Sequence, residues 1–164
     1  MRKTKTVLIA AAAALVASGA AAQLVGDTLR GYDRSAPIDF AADRIEVLEA
    51  ENQALFTGSV EVTQGSLALS AGSIRVLYED SGELTVSRLI AEGSVRLRTN
   101  TERATARRAI YDVPRSIVTL YGDVQVNRGT DRLTGERLVI DLDSGSSSIG
   151  GAGRVTGSFT PATE

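Results

Sequence analysis

The chain has 164 residues, of which 43% are hydrophobic, and a formal net charge of −2; these values suit one globular domain and argue against a disordered chain. It contains neither cysteine nor histidine, so disulfide bridges, thiolate zinc sites and every mechanism that needs an imidazole are excluded. Serine hydrolysis is strongly disfavoured as well, because beyond residue 22 the serines have neither histidine nor lysine to act as a base.

The first 22 residues have the pattern of a signal peptide. Three basic residues are followed by an alanine-rich apolar run at 7–16 and by three alanines at 20–22, the small-residue pattern that precedes a cleavage site. The run is shorter than the roughly 20 residues of a membrane-spanning helix, so an uncleaved anchor is the weaker interpretation. We expect cleavage before Gln23 and export to a bacterial periplasm. Loss of the three basic residues takes the net charge from −2 to −5, which disfavours nucleic acid as a partner.

The next segments predict a leader and a bent strand. Residues 23–36 show no sustained periodicity and are predicted to form a flexible leader. Ile38 and Phe40 then lie on one side of an alternating stretch, and Ile45 and Val47 resume the alternation after a slip at small residues. Such a slip within a period of two indicates a strand that bends.

Residues 56–78 show the unit around which the chain is organised. Apolar and polar residues alternate over 56–63, a glycine-containing turn follows at 64–66, and a second alternating run begins at Leu67. The register shifts by one residue near Ala71-Gly72-Ser73, which predicts a β-bulge or a sharp bend at that point.

This unit recurs along the chain. Its glycine-x-valine centre occurs at Gly58, Gly93, Gly122 and, more loosely, Gly153, at spacings of 35, 29 and 31 residues. Each unit predicts a pair of bent strands that cannot bury its apolar face alone, so stacked units must build a continuous interior with an edge strand at each end. Beyond the exported segment no long window has helical periodicity, and we predict an all-β domain with no substantial helix.

Candidate catalytic and metal-ligating groups are few. Asp141 and Asp143 resemble the start of a calcium loop, but the remaining ligands are missing and a strand that ends in a turn is the simpler interpretation. Glu79 and its acidic neighbours lie in a polar turn, where solvated charges are the default, so an enzyme that acts on glycans is the weakest alternative. We predict no catalytic residue, no metal site and no cofactor.

Six arginines lie between residues 96 and 115, and guanidinium groups suit bidentate contact with phosphate. Arg96 and Arg98 alternate with apolar residues, as outward charges on a half-buried strand do, so a solvated outer face is the simpler explanation. Contact with an anionic ligand is the alternative, and its candidate residues are Arg96, Arg98 and Arg107.

The apolar faces of the strands are predicted to converge on one interior. Its side chains are mostly small or branched, so an open apolar groove that holds an acyl chain is the alternative to an ordinary packed core. The candidate groove residues are Ile38, Phe40, Val47, Phe56, Val60, Val62, Leu67, Leu69, Ile74, Val76, Tyr78, Leu97, Tyr111, Leu120, Val124, Val126, Leu138 and Ile140.

Three strings of residues carry a family resemblance. PIDFAAD at 37–43, FTGSVEVTQG at 56–65 and LYGDV at 120–124 resemble the OstA-like family of lipopolysaccharide transport proteins. The resemblance implies an open β-jellyroll of bent antiparallel strands over residues 37–159, followed by a short tail at 160–164. It also implies that the apolar interior receives the acyl chains of lipopolysaccharide.

The same resemblance implies the partners. Members of the family are thought to stack head to tail and to pair their edge strands with LptC-like inner-membrane and LptD-like outer-membrane proteins, which makes a bridge that carries lipopolysaccharide across the periplasm. Because the chain has no lysine after the predicted cleavage site, a phosphate contact has to come from arginine or from the backbone. Two alternatives stay open, namely a membrane-anchored LptC-like member of the pathway and a periplasmic scaffold that binds no lipid.

Overall fold

The computed structural model describes residues 36–80 and 84–160. The predicted signal peptide (1–22), residues 23–35 of the predicted leader and residues 161–164 of the predicted tail lie outside these ranges. Within them the chain forms ten strands and one short 3-10 helix, Glu49–Glu51, so the predicted all-β class is confirmed. No helix in the described ranges is long and apolar enough to cross a membrane. The strands are β1 (Ile38–Ala41), β2 (Arg44–Leu48), β3 (Gln53–Gln64), β4 (Leu67–Asp80), β5 (Leu84–Arg98), β6 (Glu102–Asp112), β7 (Ile117–Arg128), β8 (Asp131–Asp141), β9 (Ser146–Gly150) and β10 (Thr156–Ser158).

All ten strands belong to one antiparallel sheet in which β3 to β8 pair in chain order. Both β1 and β2 pair with β3, and both β9 and β10 pair with β8, so each of these pairs is one bent strand that is interrupted in the middle. The sheet is therefore eight bent strands wide. Among the described residues no further strand pairs with the outer side of β1–β2 or of β9–β10, and these two edges stay open.

The bends lie at the repeated glycines. The pairing register shifts at the same level across successive strands, after Thr57 in β3, Glu92 in β5 and Tyr121 in β7. At each of these corners a glycine and the next residue both have a positive φ, which only glycine adopts without strain. The φ values are 77° and 46° for Gly58 and Ser59, 81° and 52° for Gly93 and Ser94, and 77° and 49° for Gly122 and Asp123.

The bend predicted near Ala71-Gly72-Ser73 is confirmed, because the register between β4 and β5 shifts between Ser70 and Ser73. The fourth repeat is placed differently from its sequence match. Gly150 pairs with Arg137, and a Cβ on Gly151, which has a φ of 132°, would lie 2.5 Å from the Cβ of Glu136. Gly151 is therefore the structural equivalent of Gly58, and it lies two residues before the sequence match, Gly153. The other corners span two residues, whereas the last strand is interrupted by a five-residue connection.

The corners divide the sheet into two half-sheets whose apolar faces oppose each other, as in the predicted jellyroll. The A half-sheet consists of 38–41, 60–64, 67–71, 95–98, 102–106, 124–128, 131–135 and 156–158. The B half-sheet consists of 44–48, 53–57, 73–80, 84–92, 108–112, 117–121, 137–141 and 146–150. Both halves contribute to one hydrophobic core, to which Val60, Val95 and Val124 belong from the A half-sheet and Ile74, Leu120 and Leu138 from the B half-sheet.

One corner offers a matched test of the left-handed conformation. Gly93 and Gly72 lie next to each other, and a Cβ on either would meet its nearest atom at 3.5 Å, but only Gly93 has a positive φ, of 81°. We expect Gly93→Ala to lower the free energy of unfolding by about 1–2 kcal/mol, the cost of a left-handed conformation for a residue with a Cβ. Gly72→Ala should cost nothing and gain up to about 1 kcal/mol, since alanine loses less entropy on folding. Urea denaturation measures both, and equal losses would contradict the role of the corner.

Candidate functional site

Two rows of side chains face each other between the half-sheets, because the pairing register places one inward residue of each bent strand from β1–β2 to β8 beside the next. The A row is Phe40, Val62, Leu69, Leu97, Ala104, Val126 and Leu133. The B row is Val47, Ala54, Val76, Leu89, Tyr111, Val118 and Ile140. Every member of both rows is apolar apart from the hydroxyl of Tyr111, so the space between the rows can take only a nonpolar occupant without leaving polar groups unpaired.

Two apolar cavities lie between these rows. The outer cavity, of about 350 Å³, is nearest to the β1–β2 edge, and the inner cavity measures about 200 Å³. They share Ile38, Val62, Val86 and Leu89, so they are neighbouring compartments of one space, which we call the groove. The outer cavity is lined by Ile38, Phe40, Val47, Ala54, Phe56, Val62, Val76, Tyr78, Val86 and Leu89. The inner cavity is lined by Ile38, Val62, Gln64, Leu67, Leu69, Val86, Leu89, Leu97, Ala109, Tyr111, Val113 and Val118.

The groove is open at one end of the rows and filled at the other. At the β1–β2 edge, Phe40 is 57% exposed and Val47 is 59% exposed, although both belong to apolar rows. The Phe40 ring meets the Phe56 ring edge to face, with centroids 5.1 Å apart. At the far end of the rows, Leu133 is 4% exposed and Ile140 is fully buried. The same two rows thus form a mouth near β1–β2 and an ordinary packed core near β8.

The structure divides the eighteen predicted groove residues into two groups. Eleven line the groove, and they are Ile38, Phe40, Val47, Phe56, Val62, Leu67, Leu69, Val76, Tyr78, Leu97 and Tyr111. The other seven belong to the packed core and line neither cavity, and they are Val60, Ile74, Leu120, Val124, Val126, Leu138 and Ile140. Contact with a lipid is therefore proposed below only for the first group.

Several groove residues were missed by the sequence reasoning, most importantly Val86 and Leu89 in β5. They are three positions apart, so a strict alternation would put them on opposite faces. A register shift between Leu77 and Tyr78 leaves Ser87 unpaired in the ladder, with Leu77 opposite Arg88 and Tyr78 opposite Val86, and this lets both residues point inward. A bulge of this kind without a glycine leaves no composition signal.

The candidate arginines lie on the outer side of the sheet. Arg96 and Arg98 are exposed on β5 and flank the inward Leu97. This agrees with the simpler explanation of their alternation, a solvated outer face. An Nη atom of Arg98 lies 3.7 Å from a carboxylate oxygen of Glu61. Arg107 lies at a corner, 3.1 Å from the carboxylate of Asp123 on the neighbouring strand. None of the three arginines lines the groove.

The candidate acidic residues Asp141 and Asp143 lie where β8 ends in a turn, whereas Glu79, predicted in a turn, lies in β4. One carboxylate oxygen of Asp141 accepts hydrogen bonds of 2.9 Å from the backbone N–H groups of Asp143 and Ser144, where β8 ends. These bonds, above all the one from the Ser144 backbone, lower the pKa of Asp141 from its ordinary value. Among the described residues no group of three acidic side chains is arranged to hold a metal ion.

The sequence matches one known family. Residues 39–146 match the family model described as LptA/(LptD N-terminal domain) LPS transport protein. The chain belongs to this family. It is 29% identical over 150 residues to an uncharacterized protein of Rhizobium meliloti strain 1021, an alignment that covers 86% of this chain and 81% of that protein.

Two further comparisons concern LptH of Pseudomonas aeruginosa. LptH is a lipopolysaccharide export system protein, and its sequence is 27% identical to this chain over 131 residues. The alignment covers 77% of this chain and 73% of LptH. The crystal structure of LptH, described as the LptA homologous periplasmic component of the lipopolysaccharide transport device, superposes with a TM-score of 0.69 at 21% identity. The match covers 79% of this chain and 99% of the LptH chain, and it shows that the two share the jellyroll fold.

The difference between groove and core predicts different tolerance of a charge. Val124 is fully buried in the core, so Val124→Asp should lower the free energy of unfolding by about 4 kcal/mol or more. Val62 lines both cavities, where water can reach a carboxylate through the mouth, and Val62→Asp should cost only about 1–2 kcal/mol. Thermal or urea unfolding of the two variants compares these losses. Equal losses would show that the groove is as closed as the core.

Proposed function

We propose that the groove binds the acyl chains of lipopolysaccharide and that the protein carries this lipid across the periplasm, from the inner to the outer membrane. The observation that carries the proposal is the groove itself, an apolar space between two half-sheets with a mouth at the β1–β2 edge. Membership in a family of LPS transport proteins supports the choice of ligand. The crystal structure of LptH, which is described as a periplasmic component, supports the proposed location, as does the predicted signal peptide.

The size of the groove limits what it encloses. A methylene group is similar in volume to a water molecule in the liquid, about 30 Å³. The cavities of about 350 and 200 Å³ therefore hold on the order of 20 methylene groups, roughly one acyl chain. Each buried methylene contributes about 0.8 kcal/mol, so one enclosed chain gives substantial affinity. We propose that the other chains of the lipid cover the exposed side chains of the mouth, Ile38, Phe40 and Val47.

We also propose that the open edges pair with other strands. The β1–β2 edge and the β9–β10 edge each offer unpaired backbone groups, and a strand of another protein can continue the sheet there. Because the two edges differ, copies that join through them stack head to tail, and LptC-like and LptD-like proteins would occupy the ends of the stack. Joining at the β1–β2 edge would also cover the apolar mouth.

Lipid binding can be tested with a pair of variants on one strand. Val62 points into the groove, whereas Thr63, the next residue on β3, points to the outer face. We expect Val62→Asp to weaken lipopolysaccharide binding by about tenfold or more, because a buried charge opposes the acyl chain. Thr63→Asp carries the same charge and should bind as the wild type does. The measurement is the dissociation constant for purified lipopolysaccharide, with circular dichroism to confirm that both variants are folded.

Two results would contradict the proposed groove function. The first is equal lipid affinity of folded Val62→Asp and Thr63→Asp. The second is a wild-type protein that binds no added lipopolysaccharide and also carries none when it is purified from cells. Native mass spectrometry of the purified protein would reveal bound lipid. The second result would favour the lipid-free scaffold.

Edge pairing can be tested by disulfide crosslinking, since the natural chain has no cysteine. We expect a variant with Ala41→Cys in β1 and Ser158→Cys in β10 to form disulfide-linked multimers on oxidation, because head-to-tail stacking brings these edges together. A variant with Ala41→Cys and Thr105→Cys is the control, since Thr105 lies on β6 in the middle of the sheet. Multimers in both variants, or in neither at high protein concentration, would contradict edge pairing.

A further inference from the structure

A row of arginines crosses the outer face of the A half-sheet. The register places Arg98 opposite Arg103, Arg103 opposite Asn127, and Asn127 opposite Arg132, on the four adjacent strands β5 to β8. Residues that are opposite each other in this way have Cβ atoms about 4.5–5.5 Å apart, so their head groups reach a common ligand. The three arginines are exposed. We call these four residues the arginine row.

The row is electrostatically unfavourable in the free protein. Like charges directly opposite each other on neighbouring strands destabilise a sheet, and Arg98 and Arg103 are such a pair. Glu61 lies 3.7 Å from Arg98, but both side chains are more than half exposed, and an exposed ion pair contributes little. Among the described residues Arg103 and Arg132 form no ion pair.

Other polar groups near the row have different partners or help to orient it. Glu102 is buried and lies 3.8 Å from Arg128. Asp131 accepts a hydrogen bond of 3.0 Å from the backbone N–H of Thr160. The Nε of Arg132 donates a hydrogen bond of 3.1 Å to the side-chain oxygen of Asn127, which holds the guanidinium in the row. Among the described residues, Arg98 is the one arginine of the row that forms an ion pair, with Glu61, so the charges of Arg103 and Arg132 are not paired with a carboxylate.

The row borders a polar depression close to the groove. Arg98, Arg103, Asn127 and Arg132 line a space of about 530 Å³ together with Glu102 and the turns at 99–101 and at 129. Leu97, the residue before Arg98, lines the inner cavity from the opposite face of β5. The row thus lies at the rim of the A half-sheet, one residue from the groove wall.

We propose that the arginine row binds the phosphate groups of the lipid head group while the acyl chains lie in the groove; this inference rests on the proposed function. Guanidinium groups bind phosphate in bidentate fashion, and the Asn127 amide can donate a further hydrogen bond. The row refines the phosphate contact proposed from the sequence. It keeps Arg98 and adds Arg103 and Arg132. It leaves out Arg96, which lies opposite Thr105, and Arg107, which contacts Asp123 at a corner.

The test compares two triple variants with the same loss of charge. The row variant carries Arg98→Gln, Arg103→Gln and Arg132→Gln. The control variant carries Arg75→Gln, Arg108→Gln and Arg137→Gln, three arginines of the B half-sheet that the proposals do not use. Each protein is titrated with lipopolysaccharide and with the same lipid after removal of its phosphates.

We expect the row variant to bind the phosphorylated lipid about tenfold or more weakly than the wild type does, because hydrogen bonds to a charged group are lost. Its affinity for the dephosphorylated lipid should equal that of the wild type, and the control variant should match the wild type with both lipids. Equal affinity of the row and control variants for the phosphorylated lipid would overturn the inference and leave the groove function intact.

A second measurement tests phosphate binding by the row directly and does not depend on lipid binding. Inorganic phosphate is added to the wild-type protein while the Nε–Hε signals of its arginines are followed by NMR. Selective shifts at Arg98, Arg103 and Arg132, absent at the control arginines, would support an anion site even if the wild type bound no lipid and the groove proposal failed. If the wild type binds no lipid and these shifts are also absent, the inference is overturned with it.

Discussion

The structure depends on corners where two consecutive residues take the left-handed conformation. Each corner turns a strand so that one antiparallel sheet folds back and its two halves oppose each other. Because Gly58, Gly93 and Gly122 lie at the same level of alternate strands, the corners align and the fold line runs across the whole sheet. Without these corners the alternating strands would form a flat, open sheet with one apolar face exposed to water. The space between the half-sheets exists because a left-handed backbone conformation, which glycine adopts without strain, recurs at the same level of alternate strands.

A second constraint decides what fills that space. The A and B rows have the same apolar character along their whole length, but the packing changes from one end to the other. Near β8 the branched side chains Ile140, Leu138, Val126 and Leu133 belong to the buried core, and each is at most 4% exposed. Near β1–β2 the rows end on the outermost strand of the sheet, and Phe40 and Val47 are exposed there. One half of the interior therefore stabilises the fold, and the other half is available for a ligand without loss of the core.

Sequence patterns predicted the strands, the bend near Gly72 and three of the four corner glycines, because period-two alternation and repeated glycines depend on local geometry. They did not separate Leu120 and Val124 in the core from Val62 and Leu69 in the groove, since all four show the same alternation. That distinction depends on how far the opposite half-sheet lies, which is a property of tertiary packing. Val86 and Leu89 were missed because a glycine-free bulge changes the register. Arg132 was missed because its place in the same row as Arg98 depends on the pairing of four strands.

The two faces of one strand explain how an acidic protein can present a local site for an anion. Leu97 and Arg98 are neighbours in sequence, yet one lines the inner cavity and the other borders a polar depression outside. At an ionic strength of about 0.15 M, charges more than about 8 Å apart are largely screened from each other. Distant acidic side chains therefore have little effect at the arginine row, although Glu61 lies 3.7 Å from Arg98 and Glu102 lines the same depression. An amphiphile placed at this rim would have its apolar and anionic parts opposite surfaces of matching chemistry, with only the thickness of one strand between them.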